Sequence, residues 1–360
     1  LIKYIKTIPS DQLRTSFETV IVNGQAKKDW FHICNAHGLM KVLWYCQDNH
    51  IQYNYENLSE KDIYRIEHYV KKKKEQIESV KNFRTSEIDV SNDDFSFMKI
   101  QPYPYQKKAV RFFDLCDGVA ILGDQPGVGK TLSAISYSLK HNLKTIIVCP
   151  ASLVLVWAKE ILKFTNEKPF VFKYKISKKE KLDLALTPDE SNLHIVSYNA
   201  LDTYLKFDVH HKCDNPYCDF EETSQIKKYK ICPKCFKEKS IKSKNTDLCS
   251  FVDKKGQDIK VGIYELIVMD EAHYIKNPKA QRTKLVTKAF KPIPKKLLLS
   301  GTAIKSKPFE FFVLLNFLEP FEWVNSHTYG VRYCDGKQND YGHWEYDGYS
   351  NIEELVERLS

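Results

Sequence analysis

No apolar run in this chain of 360 residues reaches the length of a membrane span, and no charged-then-apolar leader opens it. A membrane-embedded or secreted role is therefore not expected. An acidic excess is missing too: 55 Lys and Arg outnumber 46 Asp and Glu, for a formal net charge of +9 and a pI near 8.8. That balance points to a polyanionic partner, although a solvated lysine surface carries the same number. A secreted disulfide framework is also lacking. The ten cysteines are four clustered and six scattered, which suits a reducing compartment with one metal site. The expected location is intracellular, cytoplasmic for a bacterial or phage source and nuclear for a eukaryotic one. The first residue is Leu1 rather than Met, as in a trimmed fragment. What is present is globular composition, 42% hydrophobic and 28% charged, long enough for two or three domains.

The most informative stretch is Leu122–Thr131, LGDQPGVGKT. Ile121 and Leu122 close the apolar run VAIL, which reads as a buried strand. Gly127, Val128 and Gly129 allow a tight loop, and Lys130 and Thr131 begin a helix. Strand, glycine loop and helix N-terminus together make a phosphate cradle, because free backbone N–H groups and the helix dipole both favour an anion. In ATP, Lys130 would meet the β- and γ-phosphates and the Thr131 hydroxyl would hold Mg²⁺. Asp124 sits where the full motif has its first glycine. A short GVGKT also occurs as an ordinary strand-to-helix turn, so the loop needs its partners.

Those partners follow in order. Upstream, IQPYPYQKKAVRFF starts a helix near Tyr105, and the Gln106 amide can both donate to and accept from an adenine edge. Downstream, Thr145–Cys149 is a buried strand that ends in the turn Pro150-Ala151-Ser152. HIVSYNAL is a further strand, with Ser197, Tyr198 and Asn199 at the same end. Ligands of open parallel sheets gather at that end. Pro150, Ser152, Ser197, Tyr198 and Asn199 are therefore candidates to touch a phosphate backbone, with helix capping as the ordinary alternative. ELIVMDEAH runs an apolar strand into Asp270-Glu271. Paired carboxylates there are costly unless a cation or a reaction uses them. Asp270 is expected to orient Mg²⁺ through water and Glu271 to polarise the attacking water. KKLLLSGTAI ends a last strand in Ser300-Gly301-Thr302, before the apolar helix FEFFVLLNFLEP. The βαβαβ…β pattern indicates an α/β fold with a parallel sheet covered by helices on both faces.

Residues 1–90 read as a separate small α+β unit. Thr19–Val22 and Trp30–Cys34 are β-like runs with Asn23-Gly24 as a turn signal. Leu39–Asn49 and Ser59–Val80 read as helices, the second with Ile63, Ile66, Val70, Ile77 and Val80 as its apolar stripe. Lys71–Lys74 fit a DNA-backbone contact or a solvated helix face equally. The polar stretch through 91–99 reads as a linker.

An insertion over 208–262 holds Cys213-x4-Cys218 and, after thirteen further residues, Cys232-Pro-Lys-Cys235. Two pairs at this spacing make a closed, structural thiolate site for Zn²⁺. His210, His211 and Cys249 are spare ligand candidates, with bystander roles expected. Lys227, Lys228, Lys230, Lys234, Lys237, Lys239, Lys242 and Lys244 crowd around the second pair with Tyr229 and Phe236, a composition suited to nucleic acid.

With PYQ, DQPGVGKT, IVCPASLVLVWAKEI, VSYNAL, DEAH and LLLSGTAIKSKPFEFFVLLNFLEP in this order, the chain resembles the SWI/SNF-type branch of helicase superfamily 2 over roughly 100–330. The tail YGVRYCDGKQNDYGHWEYDGYSNIEEL is similar to the annealing-helicase subgroup, and the N-terminal unit, with Ile8-Pro9 before a hairpin, faintly to that subgroup's accessory DNA-binding domain. The resemblance implies a RecA-like ATP-binding lobe over 100–330, the zinc-ribbon-like insertion within it, and 331–360 as the start of a connection to a second RecA-like lobe. It implies a DNA-dependent ATPase translocating on double-stranded DNA or DNA junctions, with DNA annealing or fork remodelling as the finer role. His273, Ser300, Gly301 and Thr302 would couple nucleotide to DNA, and an arginine finger would come from the second lobe. Gln125 and Pro126 depart from the family's loop, and Ala303 from the proline usual after SGT; neither change removes a phosphate, metal or water-activating group. Two rival readings remain: a strand-separating helicase of the same superfamily on DNA or RNA, and a zinc-containing nucleic-acid-binding scaffold with weak ATPase.

Overall fold

The computed structural model describes residues 13–22, 25–34, 39, 42–43, 46, 50, 59–172, 182–224, 231–238, 241–252, 258–301, 308–320 and 322–359. Thr302, Ala303, most of Leu39–Asn49, the Ile8-Pro9 pair, Tyr229 and the lysines at 227, 228, 230 and 239 lie outside the described residues. The chain forms two compact units, 1–88 with 304–360, and 89–303. The sequence-based expectation is a linker over 91–99 and a lobe over 100–330. Among the described residues no helix is long and apolar enough to cross a membrane.

In the first unit, β1 (Leu13–Val22) and β2 (Gln25–Cys34) form an antiparallel hairpin whose register runs from Leu13 against Cys34 to Val22 against Gln25. The expected turn at Asn23-Gly24 lies outside the described residues. Helix α1 (Glu60–Thr85) runs past the expected end at Val80. It buries Val70 and Val80, with Ile66 and Ile77 packed beside Leu43 and Val70. Lys73, the third of the four consecutive lysines, is 2.7 Å from Glu319 within the same unit.

The second unit opens with α2 (Pro104–Leu115), then β3 (Val119–Leu122), α3 (Lys130–Lys140), β4 (Thr145–Cys149), α4 (Val154–Phe164), β5 (Phe170–Val171), β6 (Leu193–Ser197) and the short α5 (Leu201–Tyr204). Next come β7 (Leu205–Cys213), β8 (Glu221–Ser224), β9 (Ile241–Val252) and β10 (Asp258–Lys260), and then β11 (Leu266–Asp270), α6 (Gln281–Ala289) and β12 (Lys295–Leu299). Six strands form one parallel sheet in the order β3-β12-β11-β4-β6-β5. A parallel sheet covered on both faces needs apolar residues at nearly every position. TIIVC is buried throughout, as are Leu266–Met269 and Lys296–Leu299. On one face Ile147, Ile195, Val268 and Leu297 meet Phe113 of α2, Ile135 of α3 and Trp157 of α4 in a single core. On the other, His194 meets Tyr264 at 5.4 Å between ring centroids, and Phe251 meets Phe290 at 6.1 Å.

The insertion is a separate antiparallel sheet in the order β10-β9-β7-β8. It begins at Leu205, three residues before the expected start. The first unit then resumes with α7 (Pro308–Leu318), α8 (Ser326–Tyr333), the strand pair β13 (Lys337–Gln338) and β14 (Trp344–Glu345), and α9 (Ile352–Leu359). Arg358 ties this piece together, with its guanidinium 4.1 Å from the Trp323 ring centroid and 2.6 Å from Glu322.

Candidate nucleotide site and cysteine cluster

Register brings the motifs to one line. Leu122 of β3 pairs with Leu299 of β12, and Leu299 pairs with Asp270 of β11. Met269 pairs with Val148 of β4, and Cys149 pairs with Ser197 of β6. The last residues of five strands thus lie in a row across the sheet. With strands spaced about 4.8 Å apart, the glycine loop after β3 and the carboxylates after β11 open roughly 10 Å from each other.

The loop has the shape that its glycines require. Gly127 has φ +89° and Gly129 has φ +79°, left-handed angles at which a side chain is strained. A Cβ on Gly127 would meet nothing within 4 Å, so its surroundings are open, while one on Gly129 would lie 2.3 Å from Gln106 Nε2. Helix α3 starts at Lys130, and its first N–H groups have no partner within the helix. Lys130 Nζ donates to the Asp124 carbonyl at 2.7 Å and to the Gln125 carbonyl at 3.0 Å. The cation is thus folded back over the loop, held by two neutral acceptors that an anion can replace. Thr131 follows on the same turn. Gln106 is buried. Its Oε1 accepts the Tyr103 N–H at 2.9 Å, and its Nε2 stands 3.4 Å from the Val128 and Gly129 carbonyls. Ser300 closes the opposite side, with its N–H on the Leu122 carbonyl at 3.1 Å. Gly301 packs on the loop closely enough that a Cβ would sit 2.9 Å from Pro126 Cδ.

Asp270 is held at three atoms. Its Oδ2 accepts the Trp157 indole N–H at 2.8 Å, its Oδ1 accepts the Glu271 N–H at 3.0 Å, and its carbonyl accepts the Tyr198 hydroxyl at 3.0 Å. Burial raises its pKa above the usual carboxylate value; the Trp157 N–H opposes that, the Glu271 charge adds to it, and Lys130 opposes it again. A cation beside this carboxylate would relieve the strain of its burial. Glu271 turns off the strand with φ +51°, and its Oε2 lies 3.1 Å from His273 Nδ1.

The expected DNA contacts divide by exposure. Ser152 and Asn199 are exposed and Ser197 is half-buried, whereas Pro150 is buried. Tyr198 is only 2% exposed and points inward at Asp270, so its side chain is not part of the outer surface. Sequence reasoning missed its companions. Arg282 donates to Asn199 Oδ1 at 2.9 Å and lies over the Tyr198 and Tyr274 rings, which stack at 5.2 Å. It missed the Trp157 contact as well. Neither has a local signal, because both depend on which strands neighbour each other.

In the insertion the sulfurs of Cys213, Cys218, Cys232 and Cys235 all lie within 4.8 Å of one another. Cys213 and Cys235 are 3.7 Å apart, and so are Cys218 and Cys232. An ion about 2.3 Å from each of four tetrahedral sulfurs sets them roughly 3.8 Å apart, so the cluster fits Zn²⁺. Backbone N–H groups of Phe220 and Lys237 point at Cys218 and Cys235. The Lys237 N–H, with the Asn215 side chain, holds the Cys235 thiol down to about 6. His210 instead pairs with Glu221 at 2.8 Å, and Cys249 donates to the Ala289 carbonyl, so both stand apart from the cluster.

The SNF2-related domain family matches residues 105–359. A relative named SWI/SNF-related matrix-associated actin-dependent regulator of chromatin subfamily A-like protein 1 homolog, from Caenorhabditis elegans, is 29% identical over 256 residues, which is 71% of this chain and 29% of that protein. The DNA annealing helicase and endonuclease ZRANB3 of Bos taurus is 26% identical over 263 residues, 71% of this chain and 20% of that protein. The chain therefore spans less than a third of these relatives. A solved Sulfolobus solfataricus SWI2/SNF2 ATPase core in complex with dsDNA is similar at TM-score 0.45 and 20% identity, covering 73% of this chain and 43% of that one.

Proposed function

This chain belongs to the SNF2-related family, and from that premise we propose that it is the ATP-binding part of a DNA-dependent ATPase that translocates on double-stranded DNA or DNA junctions. The carrying observation is the row Leu122, Leu299, Asp270, which opens a left-handed glycine loop and a half-buried carboxylate at one end of one sheet. In this reading Lys130 exchanges two carbonyls for the β- and γ-phosphates, and Asp124, Gly127, Val128 and Gly129 line the loop. Gln106 exchanges its long contacts for an adenine edge. Thr131 and Asp270 would hold Mg²⁺, which would supply charge neutralisation at the phosphates. Glu271 takes the proton of the attacking water, oriented by His273. Ser300, Gly301 and Thr302 couple the nucleotide to DNA, and Ser152, Ser197 and Asn199 meet DNA phosphates. Charge developing on the γ-phosphoryl needs a cation from the facing side, and we assign that to a second RecA-like lobe. Zn²⁺ on the four cysteines would be structural. Free thiols such as Cys149 and Cys334 agree with a reducing, intracellular location. Annealing or fork remodelling is the finer role we favour, from the similarity to ZRANB3.

Calorimetric titration of Mg-ATP tests the reading. The wild-type chain should bind, Lys130→Ala should lose about a hundredfold or more in affinity, and Glu271→Gln should bind ATP without hydrolysing it. Duplex binding should weaken steeply with salt, because lysines displace condensed counterions. Unchanged ATP affinity in Lys130→Ala would overturn the site.

A further inference from the structure

We propose that Trp157 is a positioning residue for the metal-orienting carboxylate, and that through it the Pro150–Ser152 turn is coupled to the Mg²⁺ site. The inference rests on the nucleotide reading above and adds to it a residue outside the expected set. Trp157 is 1% exposed and lies in the main core between α4 and the sheet. An indole has one N–H and no acceptor. Here that N–H goes to Asp270 Oδ2 at 2.8 Å, a contact between residues 113 apart in sequence. Because the Glu271 N–H takes Oδ1, the rotation of the carboxylate is fixed, and the lone pairs left over face one set of directions. The helix bearing Trp157 follows directly from the turn that ends β4, Pro150 and the 3-10 turn Ala151–Leu153. Trp157 lies in the first turn of that helix, so one short segment carries both the Pro150–Ser152 turn and the grip on Oδ2. Tyr198 provides a second grip from the β6 turn, through the Asp270 carbonyl.

A smaller aromatic ring without the N–H loses packing with and without Mg²⁺ but loses positioning only with it, so the Mg²⁺ dependence separates the two. Trp157→Phe should leave ATP affinity in EDTA unchanged and should cut the gain on adding Mg²⁺ by about tenfold, the loss expected for one hydrogen bond to a charged group. In an Asp270→Asn background the same change should add nothing. Tryptophan labelled with ¹⁵N gives a readout apart from turnover: the Trp157 indole N–H resonance should move on adding Mg²⁺ with ADP, and should move in Asp270→Asn. Equal losses with and without Mg²⁺, or no loss, would overturn the proposal. Should Trp157→Phe not fold, the indole resonances decide alone: if none responds to both Asp270→Asn and Mg²⁺ with ADP, the proposal fails. Absence of any ATP binding by the wild-type chain would instead sink the nucleotide reading.

Discussion

The nucleotide site and the cysteine cluster hold their groups by opposite means. Around Asp270 the scaffold is a parallel sheet whose strands are buried end to end, and the site residues project from its rim. Around Cys232 the scaffold is a four-stranded antiparallel sheet, and beside the cysteines Tyr217 is 97% exposed and Phe236 77%. Those aromatics bury almost nothing. With Zn²⁺ bound as proposed, the two cysteine loops would rely on thiolate–metal bonds where the sheet relies on packed side chains. A group on a packed rim can be tuned by single hydrogen bonds. A loop held by four sulfurs is present or absent as a whole.

The largest test of that contrast is removal of the metal. Cys232→Ser, or a strong chelator, should take bound zinc from one ion per chain to none and abolish amide protection in the cysteine loops. Structural zinc contributes about 10–16 kcal/mol in small folded modules. Mg-ATP affinity should stay near wild type, because the parallel sheet has its own core. Loss of ATP binding together with zinc would break the comparison and make the cluster a support of the sheet.

A single methyl group tests the other side. Gly129→Ala places a Cβ at φ +79° and 2.3 Å from Gln106 Nε2. The backbone angle alone costs about 1–2 kcal/mol, and Gln106 must give up its grip on the Tyr103 N–H or on the loop. We expect roughly tenfold weaker ATP binding and a melting point lower by several degrees, with zinc content unchanged. Gln106→Ala in the Gly129→Ala chain should recover part of the stability by removing the clash, and none of the cost of the angle. If the double variant is no more stable than Gly129→Ala alone, Gln106 does not define the loop.

Much of this was legible in the sequence. TIIVC, LIVMD and KKLLL announce buried strands because alternation is absent, and GVGKT and DEAH name the two rim sites by their chemistry. Strand order was not legible. Periodicity describes one strand at a time, whereas the row from Leu122 to Ser197 depends on crossovers between distant segments. For the same reason Trp157 read only as a helix residue and Tyr198 as a surface contact. The antiparallel sheet of the insertion escaped notice because LKFDVHHKC and IKSKNTDLCSFV are polar and irregular. The cysteine spacing told more about that region than its hydrophobicity did.

The smallest effect concerns acid, and it separates the two scaffolds by mechanism. His194 lies in β6, buried in the parallel sheet. Its Nε2 faces two carbonyls, Pro188 at 2.9 Å and Ser191 at 3.1 Å, which can only accept. That nitrogen must carry the proton, so Nδ1 is the acceptor for the Tyr264 hydroxyl at 2.7 Å. A second proton would have to enter at Nδ1, in a buried site, with Lys144 Nζ bound to the same two carbonyls. Burial first and the Lys144 charge second lower the His194 pKa to about 4. The unfolded chain takes up its proton near pH 6.5 and the folded one near 4, so the stability tied to this ring is complete above about pH 6.5 and is lost as pH falls toward 4. Between pH 7 and pH 5 the loss from this group is about 2 kcal/mol. With Zn²⁺ bound as proposed, the cysteine loops would also weaken over that range, by protonation of thiolates and release of metal. Amide exchange at β4 and β6 isolates the sheet from that event. His194→Gln should reduce the pH dependence of protection there by about 2 kcal/mol, whatever it does to stability at pH 7. An unchanged slope would mean that His194 is not what makes the packed sheet sensitive to acid.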